Sequence, residues 1–390
     1  MINFFSLFRN KTHTPIPDHF ESIQALLRRL CSDPKAIICI ALGIGLATRL
    51  SLVAPRTFPI NDGGFWCLAA QRLIENNFAL PTSISFNGQN IPFAYPPLGV
   101  YLLAFISYIT GVNTISLTLW LPLGLNLITI LVFSLFALRF FGPTSEFVIA
   151  SLLFPLFPQS YQWFVMGGGV TRGLGFIALL LCWRACLYAS NTHYSMKNSL
   201  AVGVFLAAAV LSHPSAGLWS IFGIIIFLST GLRRFHLWQM IRPGLIAITL
   251  LSPWVVLMLA RYGISPFIHA FGSGEQMNYG MLLEWSHNWG LAPVSSGLIL
   301  IGITATIKNH RPQLLLFFML GLLLDIRGLI TTYGAAVSVL LAASGLAFIM
   351  QSLEMMGNNE EHSRTNLGVL SKLFCLYVFC HWFLYSIIFT

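Results

Sequence analysis

The 390-residue sequence is 56% hydrophobic and only 8% charged, a composition that leaves too little polar surface for a water-soluble enzyme. Apolar runs near the length that crosses a ~30 Å hydrocarbon core recur along most of the chain. The regular apolar/polar alternation of a transmembrane barrel is missing from these runs, so the sequence predicts an all-α polytopic membrane protein. The formal net charge of +9 comes from Lys and Arg in short links rather than on one basic face, so we expect no nucleic-acid partner.

The N-terminal residues 1–35 are predicted to be a cytoplasmic segment. Arg28, Arg29 and Lys35 precede the first apolar run, and cations concentrate on the cytoplasmic side of a membrane. That run, 36–54, has no small-residue cleavage site and is interpreted as a retained anchor. Residues 36–390 are predicted to form a single transmembrane domain. The seven Cys lie mostly inside apolar runs without metal-ligand spacing and are expected to be small buried hydrophobes.

The orientation of the later spans depends on the apolar stretch 95–112. If it crossed the membrane, Arg139 and the cluster around Arg233 would face outward, against the positive-inside bias. We therefore predict that it lies along the interface, which gives about eleven spans and three long links. The links are an outer loop at 55–114, a second outer loop at 261–290 and a cytoplasmic loop at 351–366. After 36–54, the spans are predicted at 115–138, 145–165, 170–189, 199–212, 215–230, 243–260, 291–307, 312–325, 329–350 and 367–388.

Six arginines remain at the outer side in this topology. A cation on the side that the bias disfavours needs either a partner or a function. The six are Arg49, Arg56, Arg72, Arg172, Arg261 and Arg327.

Asp62 is the acid best placed for chemistry. It follows the first span by a few residues and opens the stretch 65–78, in which Phe65 and Leu73 belong to one apolar face, as in a helix lying on the membrane surface. An Asp at such a position is also typical of a plain helix N-cap, worth ~1 kcal/mol and no chemistry. The residues alone favour neither interpretation.

The rest of the first outer loop is rich in turn residues and ends in Pro96-Pro97-Leu98, a start for a second interfacial helix. A carboxylate beyond the first span, an amphipathic helix, and Pro-Pro-Leu opening another helix resemble the first outer loop of the C-type membrane glycosyltransferases. Within that family it resembles the protein O-mannosyltransferases and the aminoarabinose transferases. The resemblance is strongest over 58–111, with weaker similarity at Thr171-Arg172-Gly173, Ser212-His213-Pro214 and Asp325-Ile326-Arg327.

This resemblance implies transfer of a sugar from a polyprenyl-phosphate carrier to a hydroxyl of a lipid, glycan or protein acceptor, with inversion and with Asp62 as the base. The chain departs from the family pattern at Gly63, where many relatives have a second acid, and at Tyr95, where many have a His. No cofactor is required by the sequence, and no metal-ligand set is defined. A role for a divalent cation, Mg²⁺ or Mn²⁺, is left open.

Positive charge on the departing phosphate would come from Arg327 and Arg172, because guanidinium binds phosphate with paired hydrogen bonds. The resemblance places a carrier-binding Arg at the position of Arg327. The alternative interpretation is that Arg327 only forms a local ion pair with Asp325. Arg172 follows Gly167-Gly168-Gly169, whose backbone could approach a phosphate. Its alternative is a tight turn with a snorkelling Arg.

Substrate contacts are predicted from Tyr95, His213, Glu275, Glu284 and Trp285. His213, before Pro214, could bind a sugar or phosphate or could cap a helix. The two Glu lie among aromatic residues of the second outer loop, an arrangement that holds sugar rings but that also suits an interfacial anchor.

Two other functions remain open at this point. One is a transporter or flippase of a lipid-linked or small solute, which the near absence of charge inside the spans disfavours. The other is a non-catalytic relative of the glycosyltransferases. We expect the protein to lie in a bacterial inner membrane, with its active site on the outer face.

Overall fold

The structure is a computed structural model that describes residues 33–191, 195–231, 238–272, 292–324 and 332–358. Its architecture is a bundle of apolar helices with a small folded loop at one end. The helices are α1 Pro34–Val53, α2 Gly63–Glu75, α3 Leu98–Thr110, α4 Thr114–Phe141, α5 Ser145–Leu153, α6 Gln162–Val165, α7 Gly169–Asn191, α8 Met196–Ser212, α9 Pro214–Gly231, α10 Trp238–Tyr262, α11 Ser265–Gly272, α12 Ala292–Lys308, α13 Pro312–Leu324 and α14 Ala335–Asn358.

Five helices within the described ranges are long and apolar enough to cross a membrane, which confirms a helical membrane protein. They are Pro34–Val53, Thr114–Phe141, Gly169–Ala189, Trp238–Tyr262 and Ala335–Ser352. Five shorter helices, α5, α8, α9, α12 and α13, overlap other predicted spans. The predicted span 367–388 is outside the described residues, so the total of about eleven stays a prediction.

The predicted span 145–165 is wrong as a continuous helix. Helix α5 ends at Leu153, two short 3₁₀ turns follow at Phe154–Leu156 and Pro158–Ser160, and α6 completes the segment. Pro155 and Pro158 account for the break, because proline lacks the amide hydrogen and clashes with the preceding turn of a helix. Hydropathy alone does not detect this interruption. At the other end of the chain, α14 begins at Ala335 and continues to Asn358, later at both ends than the predicted 329–350.

The first outer loop folds as a unit of its own. Helix α2 packs on α3. The chain between these two helices forms an antiparallel hairpin of β1 Ser83–Phe86 and β2 Gln89–Pro92. The hairpin was not predicted. Its turn is Asn87-Gly88, and both residues have positive φ, 51° and 74°, as the preferred two-residue hairpin turn requires.

Helix α3 is 13 residues long and therefore spans only ~20 Å at 1.5 Å per residue. This is too short for a ~30 Å hydrocarbon core. The length agrees with the prediction that this stretch lies along the interface and does not cross the membrane. The loop has its own apolar core, to which α2, β1, the hairpin's end and α3 all contribute. That core includes Trp66, Leu73, Ile84, Phe93, Val100 and Leu103. This packing fixes the position of α2, and therefore of Asp62 at its start, relative to the bundle.

Helix α7 is central in the bundle and packs against α4, α8 and α9. Its buried Trp183 contacts Phe136 of α4, Phe227 of α9 and Phe317 of α13, with ring centroids 5.7, 6.1 and 4.7 Å apart. The opposite end of α7 begins at Gly169, beside the folded outer loop. A helix packed on three neighbours therefore carries Arg172 toward Asp62.

Candidate active site

Asp62 occupies the N-cap position of α2, but its side chain makes no capping hydrogen bond. The preceding Asn61 has a φ of 62°, a left-handed conformation that Asn tolerates better than most residues. The half-buried carboxylate instead accepts hydrogen bonds from two other groups. The amide of Gly168 donates to Oδ1 at 2.8 Å, and Nε1 of Trp66 donates to Oδ2 at 3.0 Å. The plain N-cap alternative is therefore wrong for the Asp62 side chain.

The segment Gly167-Gly168 passes directly over Asp62. The amide of Gly167 donates to the carbonyl of Ile60 at 3.0 Å. A Cβ on Gly167 would collide with Asp62 Oδ1 and with the Gly63 nitrogen. Only glycine permits this approach of two backbones. The sequence suggested that this glycine run could approach a phosphate; in the structure it lies against the carboxylate.

Arg172 lies in the first turn of α7, on the other side of Gly168. A Cβ placed on Gly168 would be 3.2 Å from Asp62 Oδ2 and also 3.2 Å from Arg172 Nη1. The guanidinium donates to the carbonyl of Trp163 at 3.3 Å and lies over the Trp163 ring, 5.4 Å from its centroid. Within the described part of the chain it has no carboxylate within 4.0 Å. A carboxylate and a guanidinium thus approach the same small gap without forming an ion pair.

Tyr95 borders this gap from the loop side. Its ring packs edge-on against Trp66, with centroids 4.8 Å apart, and its hydroxyl hydrogen-bonds with Thr171. Burial raises the pKa of Tyr95 to about 12, with Arg172 and Asp62 as nearby charges of opposite effect. The phenol is therefore neutral at pH 7. The contact depends on Gly99, where a Cβ would be 2.6 Å from the Thr171 methyl, so that α3 can approach α7 closely.

His213 lies between α8 and α9 and faces Tyr95 at 6.2 Å between ring centroids. Its Nδ1 accepts the amide of Ser215 at 3.3 Å, so it does cap the start of α9 as the alternative proposed. Burial, and then the positive charge of Arg172, lower the pKa of His213 to about 3. The imidazole is uncharged at neutral pH. Its position beside Tyr95 also places it at the edge of the site.

Three aromatic residues in the site were not predicted. Trp66 holds Asp62, Trp163 holds Arg172, and Tyr333 lies 5.5 Å from His213 between ring centroids and donates to the Arg172 carbonyl at 3.4 Å. Trp66 could have been found, since residues i and i+4 are neighbours on a helix. Tyr333 could not, because it reaches the site only through the packing of distant segments.

The structure brings together Asp62, Arg172, Tyr95 and His213. The other predicted site residues, Arg327, Glu275, Glu284 and Trp285, lie outside the described residues, as does Asp325. Their roles stay predictions.

The described side chains around Asp62 do not form a donor set for a divalent cation. The described residues contain no group of three or more His, Cys, Asp or Glu that could hold a metal ion. Asp62 has Gly63 beside it rather than a second acid, and the charge facing it is the cation Arg172. Hard divalent cations prefer several oxygen ligands, and the described side chains do not supply them.

No family model matches the sequence, and no curated protein matches it. Solved structures do share its fold. One is the oligosaccharyltransferase of Archaeoglobus fulgidus in complex with Zn and sulfate, with a TM-score of 0.59 and 14% identity over 90% of this chain and 52% of that one. Another is the oligosaccharyltransferase AglB from Archaeoglobus fulgidus in complex with an inhibitory peptide and a dolichol-phosphate, with a TM-score of 0.62 and 14% identity over 90% of this chain and 55% of that one.

A second protein with this fold is ArnT from Cupriavidus metallidurans bound to undecaprenyl phosphate. Its TM-score is 0.60 at 15% identity, over 90% of this chain and 74% of that one. The fold is therefore that of the C-type membrane glycosyltransferases, and the resemblance noted in the sequence is confirmed at the level of fold. The chain spans about half the length of the archaeal oligosaccharyltransferase.

Proposed function

We propose that the protein is a membrane glycosyltransferase that moves a sugar from a polyprenyl-phosphate carrier to the hydroxyl of a lipid, glycan or protein acceptor. The observation that carries the proposal is the approach of Asp62 and Arg172 to one gap beside Gly168. A base and a phosphate-binding cation are the two groups that this reaction needs. Structures of the same fold hold dolichol-phosphate and undecaprenyl phosphate, which supports a lipid-linked donor.

In the proposed reaction the acceptor oxygen attacks the anomeric carbon while its proton passes to Asp62. The bond from the anomeric carbon to the phosphate oxygen breaks, and its electron pair leaves with the phosphate. A single displacement of this kind inverts the anomeric configuration. The hydrogen bonds from Gly168 and Trp66 fix the carboxylate, and each carboxylate oxygen retains a further lone pair that can accept the proton.

Arg172 is proposed to stabilise the charge that develops on the departing phosphate. Its guanidinium has donors to spare, since its described side-chain hydrogen bond uses only one of them, on the Trp163 carbonyl. Tyr95 and His213 are proposed to contact the sugar or phosphate as neutral groups, in keeping with their pKa values of about 12 and about 3. They would orient the substrate without adding charge.

Residues outside the described ranges are proposed to complete the site. Arg327 would be a second phosphate ligand, and Glu275, Glu284 and Trp285 would hold the sugar or the acceptor. If so, Arg327→Lys weakens donor binding while the protein still folds, because the charge is kept but the planar fork is lost. Unchanged donor affinity in this variant would remove Arg327 from the site.

The function is tested by sugar transfer from a radiolabelled polyprenyl-phosphate sugar to extracted acceptors, using purified protein. We expect transfer by the wild type and a fall of about 10²- to 10⁴-fold in Asp62→Asn, the usual range for a lost general base. Asp33→Asn is the matched control, since Asp33 is an exposed Asp that caps α1 through Lys35 and Ala36. No transfer by the wild type under any donor, with uptake of solute into vesicles instead, would favour the transporter.

A further inference from the structure

The outer arginines of the described ranges differ in whether the protein supplies them with a partner. Arg49 is buried among polar groups, including the side chains of Asn126 and Ser160. The others with partners are Arg72, which pairs with Glu75, Arg172, which bonds Trp163, and Arg261, which bonds the carbonyls of Leu80 and Pro81. Arg56 is half-buried, and its guanidinium has neither an ion pair nor a hydrogen bond with any described residue. An outward cation without a partner calls for a ligand.

Arg56 lines a cleft, which we name the Arg56 cleft. Its other polar residue is Gln162, the first residue of α6. The remaining wall is apolar and comes from α1, α4 and the segment around α6. These wall residues are Leu52, Val53, Leu119, Val165 and Met166. The combination of one guanidinium, one amide and an apolar wall suits a molecule with an anionic end and a hydrocarbon end.

The Arg56 cleft is separate from the candidate active site. Asp62, Arg172, Tyr95 and His213 do not line it. It adjoins the site through Ile60, whose carbonyl accepts the Gly167 amide, and through Met166 and Gln162, which directly precede Gly167 and Trp163 in the chain. A ligand in the cleft would therefore contact the segment that leads into Asp62 without occupying the reaction site.

The surroundings of the cleft indicate where its ligand comes from. Leu50, about one turn before Val53 on α1, and Trp120, next to Leu119 on α4, are 40% and 45% exposed. Large apolar side chains exposed on membrane-spanning helices face lipid, and a Trp near a helix end is typical of the interface. The cleft thus lies beside the bilayer, at the end of α1 where the chain leaves the span.

We propose that the Arg56 cleft binds an anionic phospholipid of the surrounding leaflet. The lipid phosphate would accept hydrogen bonds from the Arg56 guanidinium and the Gln162 amide, and an acyl chain would lie along the apolar wall. The negative headgroup complements a cation that has no protein partner. Zwitterionic lipids carry a balancing positive charge and should bind more weakly.

The probe is phosphatidylglycerol, compared with phosphatidylcholine, added to the purified full-length protein in detergent and counted as retained lipid by native mass spectrometry. We expect preferential retention of phosphatidylglycerol, and about a tenfold loss of that binding in Arg56→Gln, as for one charge-assisted contact. Arg72→Gln is the matched control. It removes one positive charge from an exposed residue of the same loop and should retain lipid as the wild type does.

A second variant, Val165→Phe, fills the apolar wall while leaving Arg56 in place, and it should also reduce retention of phosphatidylglycerol. If Arg56→Gln fails to fold, lipid retention by Val165→Phe tests the proposal instead. Equal retention of the two lipids, or equal retention by wild type and both cleft variants, would overturn the proposal. Displacement of phosphatidylglycerol by equimolar polyprenyl phosphate would also overturn it, by assigning the cleft to the donor. The readout involves no sugar transfer and is independent of the proposed function.

Discussion

At the scale of single residues, the site depends on what Gly168 lacks. Its missing side chain leaves room for the Asp62 carboxylate and the Arg172 guanidinium, each 3.2 Å from where a Cβ would stand. Its φ lies outside the left-handed region that favours glycine, so alanine is compatible with the backbone there. Crowding of the two charged groups can therefore be tested separately from backbone strain.

We expect Gly168→Ala to slow sugar transfer by about 10- to 100-fold, because a small displacement of reacting groups has large kinetic effects. Thermal stability should change little. Gly124→Ala is the control, since a Cβ at Gly124 meets no atom within 4 Å. Transfer rates of Gly168→Ala equal to those of this control would show that the spacing beside Gly168 does not matter.

His213 gives a prediction about pH. Its pKa is lowered to about 3 in the folded protein but is ~6.5 when unfolded. As pH falls below ~6.5, the unfolded chain gains a proton at this position and the folded chain does not, so the His213 contribution destabilises the fold progressively until about pH 3. In His213→Asn, which retains an acceptor for the Ser215 amide, this contribution is gone.

The measurement is the melting temperature of both proteins between pH 8 and pH 5. We expect the wild type to lose more stability than His213→Asn over this range. A constant difference between the two melting temperatures would mean that His213 titrates normally in the folded protein.

At the scale of elements, Arg49 of α1 stabilises the break between α5 and α6. The break frees backbone carbonyls, and Arg49 donates to that of Pro155. The same guanidinium donates to Asn126 Oδ1 at 2.6 Å and to Ser160 Oγ at 3.1 Å, and it lies 4.2 Å from the centroid of the Tyr161 ring. In a membrane-spanning bundle, such groups must be satisfied by protein.

We expect Arg49→Met to destabilise the protein by roughly 2–3 kcal/mol or more, since buried acceptors that lose a donor cost ~1–3 kcal/mol each. The measurement is thermal unfolding in detergent. Leu50→Met serves as the control, because Leu50 is 40% exposed on the same helix. An unchanged melting temperature in Arg49→Met would refute the role of Arg49 in holding the break.

The elements also differ in how far the sequence could predict them. Long apolar helices such as α4 and α7 follow from hydropathy, and Asp62 was found because few acids follow a span. The break after Leu153 was missed because the stretch is mostly apolar, although Pro155 and Pro158 signal it. The hairpin at Asn87-Gly88 was missed as well, although that dipeptide is a strong hairpin signal.

The charged residues of the site could be predicted more readily than the contacts between its residues. Trp66 lies one helical turn from Asp62, so its position could have been derived. Tyr333 reaches Arg172 across 161 positions of sequence, and local patterns carry no information on such packing. The approach of Gly168 to Asp62, across 106 positions, is of the same kind.

At the scale of the whole molecule, the proposal requires that the first outer loop face away from the cytoplasm. In a background without native cysteines, Ser85→Cys should react from outside with a membrane-impermeant thiol reagent, because Ser85 lies in β1 of that loop. Ser352→Cys, near the end of α14, should react only after the membrane is opened. The reverse labelling pattern would overturn the orientation.

The central claim is that Asp62 and Arg172 share one substrate but have different tasks. The most direct measurement is the affinity of polyprenyl phosphate for the wild type, Asp62→Asn and Arg172→Gln. We predict that Arg172→Gln binds about tenfold more weakly or worse, as expected for a lost charge-assisted contact, whereas Asp62→Asn binds at least as tightly as the wild type. Equal affinity in all three proteins, or weakened binding in Asp62→Asn alone, would contradict the account.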